Sequence, residues 1–167
     1  MTEFEKYTQR YLDLIPGDNW LEEMEKAGTI TLEIYSRLTD EQSNFSYADG
    51  KWSLKVLLQH MIDAEKIFNY RALRFSRNDK TELPGWDEVL YGENNNVSMI
   101  RLNDLMDEFE TVRKMSILFF KNLDKEILHR TGIANDQEIS VENIGKLIVG
   151  HNIHHLNIIK ERYLSSF

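Results

Sequence analysis

The sequence of 167 residues contains no cysteine. That absence removes disulfides, a thiolate nucleophile and any cysteine-rich metal site, so a bound metal would have to use histidine, carboxylate or water. Proline is scarce: Pro16 and Pro84 are the two examples, and both read as connections between helices. No apolar run reaches the length of a transmembrane span. Basic residues are outnumbered, with 20 Lys and Arg against 28 Asp and Glu, for a formal net charge of −8. Such a chain repels phosphate backbones and anionic lipid surfaces, which argues against nucleic-acid and membrane partners. The opening stretch MTEFEKYTQR mixes acids with bases and lacks the apolar segment of a signal peptide, so the expected location is the cytoplasm. The length suits one domain over residues 1–167 with its own core.

What is present is helical periodicity. Phe4, Tyr7, Tyr11 and Leu14 form a short amphipathic pattern that Pro16-Gly17 ends. Asn19, with Glu22 three residues on, caps a long helix whose stripe is Trp20, Met24, Ala27, Thr31, Ile34 and Leu38. Ser53 caps a second, carrying Leu57, His60, Ala64, Phe68 and Arg71 to about Arg77. Residues 78–97 hold Pro84, Gly85, Gly92 and three successive asparagines and read as a connection. Ser98 is placed to open a third helix through Leu102, Leu105, Phe109, Val112, Phe119 and Leu123. Thr131-Gly132 reads as loop, and Ser140 caps a last helix with Ile144, Ile148, His151, His155, Ile158 and Arg162 on one face. The expected fold is all-α: a four-helix bundle plus a short N-terminal helix. The connection between the second and third long helices is too long for a tight turn, which predicts a crossover and up-down-down-up topology.

Three histidines stand out. His151 and His155 lie four residues apart and so share a helix face, and His60 occupies another inward stripe. In an antiparallel pair the depths match: His60 is about 10 Å from the start of its helix and His155 about 15 Å from the end of the last. A lone inward histidine is most simply a hydrogen-bonded core residue. Two adjacent buried imidazoles, however, need partners for four ring nitrogens, and three converging ones match a catalytic divalent-metal site with an open position. Asp63, near the face of His60, is the candidate to orient an imidazole. His154 points about 100° away from His155 and reads as a flanking residue. Glu126-x-x-His129 occurs once, whereas di-iron bundles need that motif twice with two more glutamates, so it reads as coincidence. Gly150, mid-helix, implies either close packing or room for a ligand. Arg71, Arg74 and Arg77 read first as cations favourable at a helix C-terminus, and second as a rim for an acidic substrate. Trp52 and Trp86 read as core.

Several blocks resemble a known family. Lys51-Trp52-Ser53 with Leu57, His60, Asp63 and Glu65 resembles the first conserved block of the DinB/YfiT-like superfamily. Gly150-His151-Asn152-Ile153-His154-His155-Leu156 is similar to its closing His-x-x-x-His helix, and Pro84-Gly85-Trp86-Asp87 to the segment between its second and third helices. The resemblance runs in order from about residue 19 to residue 165. It implies a four-helix bundle with a long crossover. It also implies one divalent metal ion, often zinc or nickel, on His60, His151 and His155. Members with assigned activities include thiol S-transferases using bacillithiol, mycothiol or glutathione-like cofactors.

The first functional expectation is therefore a metal-dependent thiol S-transferase acting on a low-molecular-weight thiol and an electrophilic substrate. An alternative is a hydrolase using metal-bound water, although no H-E-x-x-H glutamate accompanies the site. A third, of another class, is a non-catalytic metal- or ligand-binding stress module. Homodimerisation is a further expectation, with exposed aromatics such as Tyr91 available for it.

Overall fold

The computed structural model describes residues 3–166. The side chain of Phe4, and with it that part of the expected N-terminal stripe, lies outside the described residues. The elements are α1 (Glu3–Leu12), α2 (Trp20–Tyr35), α3 (Asp40–Ser43), α4 (Leu54–Ser76), α5 (Glu88–Glu93), α6 (Leu102–Lys121) and α7 (Lys125–Leu128). Two strands, β1 (Thr131–Ala134) and β2 (Gln137–Ser140), and the last helix α8 (Val141–Ile158) complete the order.

Caps explain where the long helices begin. Asn19 accepts from the Glu22 amide, Ser53 from Val56 and Ser140 from Asn143, each supplying an oxygen to an otherwise unpaired first-turn N–H. Ser98 does not play this part for α6. Residues Val97–Met99 form a single 3₁₀ turn, and α6 starts at Leu102, whose amide donates to Asp40 Oδ1 at 3.0 Å. That cap comes from α3, 62 residues upstream, beyond the reach of any local pattern.

The four long helices form the expected bundle. Contacts pair Lys55 with Ile100, Glu65 with Arg113 and Asn69 with Ser116, so α4 and α6 run parallel. His60 meets His155 and Trp52 meets Tyr163, so α4 and α8 run antiparallel. Thr31 meets Asn152, and the Trp20 ring would touch a Cβ on Gly145, so α2 runs with α8. The directions are thus up-down-down-up, and the crossover between α4 and α6 permits the parallel central pair.

Apolar residues gather at the two ends of the bundle. One cluster centres on Met24, Phe75, Phe120 and Ile144, the other on Tyr35, Leu58, Leu105 and Phe109. Between them the inward positions are polar: Thr31, His60, Glu65, Asn69, Arg113, Ser116, His151, Asn152 and His155 are all buried. The functional residues occupy this middle layer.

The segment read as loop at Thr131-Gly132 is instead strand. β1 and β2 pair antiparallel, with Thr131 opposite Ser140 and Ala134 opposite Gln137. Asn135 and Asp136 join them at φ of 52° and 59°, the left-handed pair of a tight hairpin turn. Strands of four residues offer too few alternations to register as a period. The hairpin also holds the crossover: the Leu83 amide donates to Ile133 O, and the Asn135 amide to Leu83 O. This anchors Pro84–Asp87 beside the middle layer.

Candidate metal centre

His60 sits in the second turn of α4, while His151 and His155 are one turn apart on α8. Antiparallel packing of these helices brings the three imidazoles together. Nε2 of His151 lies 3.0 Å from Nε2 of His60 and 3.0 Å from Nε2 of His155. The three residues are 5%, 9% and 8% exposed for His60, His151 and His155. No other set of three His, Asp or Glu side chains converges in this way among the described residues.

The donor set fits a divalent ion better than it fits a hydrogen-bonded cluster. A neutral imidazole has one N–H and one lone pair, so His151 Nε2 cannot satisfy both neighbouring Nε2 atoms at once. Around a tetrahedral ion with Zn–N near 2.0–2.1 Å, ligand nitrogens stand about 3.3 Å apart, close to the spacing here. Three neutral ligands also leave a fourth position open, the arrangement of catalytic rather than structural zinc. One departure from the usual pattern is plain. Metal-bound histidines normally donate through the other ring nitrogen, yet Nδ1 of His60 and of His155 is buried with no protein partner.

Burial keeps these rings neutral. It pushes the His60 pKa down to about 4, with electrostatic repulsion from nearby His154 adding a little. His151 and His155 fall well below the ordinary value, first through burial, then through repulsion by the neighbouring histidines. The unfolded chain therefore binds more protons than the folded one between pH 6.5 and about 4. The resulting stability is complete above pH 6.5 and is lost as pH falls through that window, His60 alone accounting for about 3 kcal/mol. Urea midpoints of metal-free protein are expected to fall steadily from pH 7 to 4.5. Midpoints flat over that range would contradict neutral burial.

The surroundings differ from several expectations. Asp63 does not orient an imidazole: its carboxylate accepts from Gln59 Nε2 at 2.9 Å, and it lines a separate cleft with Tyr91. Trp52, half-buried, packs against the core and walls the cluster as well, while Trp86 is a half-buried wall of the cluster rather than core. Their rings lie 4.9 and 5.9 Å from that of His60, and the Trp86 ring is nearly parallel to it. The crossover carries Trp86 there, because the hairpin pins Leu83 three residues before it. His154 is half-buried and stands edge-on to Tyr11. Glu126 and His129 are exposed, and Glu126 pairs with Arg130. Gly150 is explained by packing: a Cβ there would lie 2.2 Å from the Tyr11 carbonyl oxygen, so only glycine lets α1 approach α8.

A cleft of about 590 Å³ reaches the cluster at His151, between Trp86, Phe68, Arg71 and Asn135. Of the three spaced arginines, Arg71 alone faces it. Arg74 pairs with Asp79 and Tyr70, and Arg77 is exposed and donates to Ser76 Oγ.

Below the histidines lies a buried network that the sequence reading missed. Arg113 holds Glu65 with two parallel bonds of 2.9 Å, and its Nη1 also donates to Met24 O and Asn152 Oδ1. Ser116 donates to Glu65 at 2.6 Å, and Asn152 to Thr31 at 2.9 Å. All four long helices meet here, and Asn152 is chain neighbour to His151. The available signal was Arg113 itself, a cation on the inward stripe of Phe109, Ser116 and Phe120.

Comparison with known families agrees with this geometry. The DinB superfamily model matches residues 23–159. The chain belongs to the DinB superfamily. A protein of Oceanobacillus iheyensis, named as a candidate metal-dependent hydrolase, is 25% identical over 146 residues, covering 84% of this chain and 82% of that protein. YfiT from Bacillus subtilis, described as a probable metal-dependent hydrolase with an unusual four-helix bundle topology, superposes with a TM-score of 0.76. At 21% identity over 89% of this chain and 86% of YfiT, that likeness shows the fold. A metal-dependent function fits both the name of the Oceanobacillus relative and the three-histidine cluster.

Proposed function

We propose that this DinB-family chain is a metal-dependent enzyme whose three histidines hold one divalent ion, zinc or nickel, and that it transfers a low-molecular-weight thiol to an electrophile. The observation that carries this reading is the convergence of three neutral, buried Nε2 atoms beside an open cleft. When bound, a divalent ion supplies positive charge that holds a thiol as thiolate or activates water for hydrolysis.

The residues around the cluster favour the first use. Hydrolysis calls for a base that handles the proton of water; Glu65, Asp63 and Asp87, the last as cap of α5, are committed elsewhere, which leaves Glu88 as the remaining carboxylate on the cleft wall. Glu65 is saturated by Arg113 and Ser116, and Asp63 bonds Gln59. Trp86, Trp52 and Phe68 place apolar ring surface beside the histidines, which suits the hydrocarbon part of a thiol or an electrophile. The cleft leaves room for a thiol and an electrophile side by side. The hydrolytic reading is supported by the names of the two relatives.

Metal-loaded protein incubated with small thiols and alkyl halides or epoxides is expected to consume thiol and electrophile in equal amounts. His151→Ala should reduce this to the background rate. Release of alcohol from a panel of esters without any thiol, lost in the same variant, would replace transfer with hydrolysis.

A further inference from the structure

We propose that Arg71 receives a carboxylate of the ligand that occupies the cleft beside the three histidines. The proposal rests on the reading of that cleft as the substrate cavity. Arg71 follows His60 by eleven residues, three helical turns, which returns it to within about 20° of the same face and about 16 Å further along α4. Long helical side chains lean back toward the N-terminus, so its guanidinium extends toward His60. The remaining gap is on the order of 10 Å, the separation expected between the carboxylate and the reacting atom of the ligand.

The guanidinium is half-buried and under-used. Its protein partner is the Pro84 carbonyl at 2.9 Å, which takes one of five N–H donors. Arg113, Arg101, Arg130 and Arg74 each have a carboxylate partner, whereas Arg71 has none among the described residues. Partial burial lowers its pKa somewhat, yet an arginine stays charged at any physiological pH. A half-buried cation with free donors on a cleft wall is a binding group for an anion.

The other charges in the cleft narrow the anion. Asp87 and Glu88 line it too, Asp87 being held as the cap of α5 by the Val89 and Leu90 amides. Two carboxylates oppose a polyanion such as a diphosphate. A single planar carboxylate matches the guanidinium fork and takes two parallel bonds from it.

The test compares 8-mercaptooctanoate with its neutral isostere 8-mercaptooctanamide by calorimetry, on metal-free and on cobalt-loaded protein. Wild type is expected to bind the carboxylate about tenfold or more tightly than the amide. Arg71→Gln should erase that ratio, and Arg71→Lys should keep part of it, because a point charge replaces the fork. The ratio is taken within each variant, so a general loosening of the cleft moves both affinities and leaves it unchanged. Equal affinities in wild type, or a ratio that survives Arg71→Gln, would overturn the proposal. Cobalt-to-sulfur absorption is read separately in the same samples. Its absence counts against thiolate binding at the histidines and leaves the Arg71 ratio interpretable.

Discussion

Replacing Arg113 with methionine is expected to destabilise the protein by about 3–5 kcal/mol, measured as a shift in urea midpoint at constant slope. The reason is what the substitution leaves behind. Glu65 would remain 3% exposed, with its charge facing no cation. The Met24 carbonyl and Asn152 Oδ1 would lose a donor at the same time. Asn152 adjoins His151, so the histidine cluster should loosen as well. The double variant Glu65→Gln/Arg113→Met removes both charges and is expected to recover much of the loss, because a buried pair is costly mainly when broken. A single variant within about 1 kcal/mol of wild type would show that the network contributes little to folding.

Loading with a divalent ion is expected to raise stability by a comparable amount. At a free zinc concentration near a thousand times the dissociation constant, the gain is about 4 kcal/mol, or roughly 10 °C in Tm for a chain of this size. The metal-free cluster is poorly satisfied, with three nitrogens sharing too few protons and with unpartnered Nδ1 atoms on His60 and His155. An ion resolves the shared contacts. His60→Ala, His151→Ala and His155→Ala should each abolish the shift, since two ligands remain. A thermal shift of full size in any of them would place the ion elsewhere.

The bundle was legible because its stripes are long. Twenty or so residues of 3.6-residue periodicity, bounded by Asn19, Ser53 and Ser140, leave little freedom in α2, α4 and α8. The histidines were legible for the same reason: His151 and His155 share a face by spacing alone, and antiparallel packing then supplies His60. What escaped depended on contacts distant in sequence. The start of α6 is set by Asp40, the position of Trp86 by a hairpin fifty residues later, and the pairing of Glu65 by Arg113 on another helix. The role expected of Asp63 failed on a local competitor, Gln59, one turn away on the same helix. Arg71 and Arg74 share a spacing rule yet meet different fates, because only tertiary packing decides which one finds a carboxylate.

The most direct measurement is elemental analysis of tag-free protein, wild type beside His60→Ala and His155→Ala, after exposure to zinc, nickel and manganese. The account predicts about one divalent ion per chain in wild type and loss of that ion in both variants. Wild type that takes up none of the three metals, while folded and with its histidines neutral, would contradict it and reduce the cluster to a buried polar layer of a helical bundle.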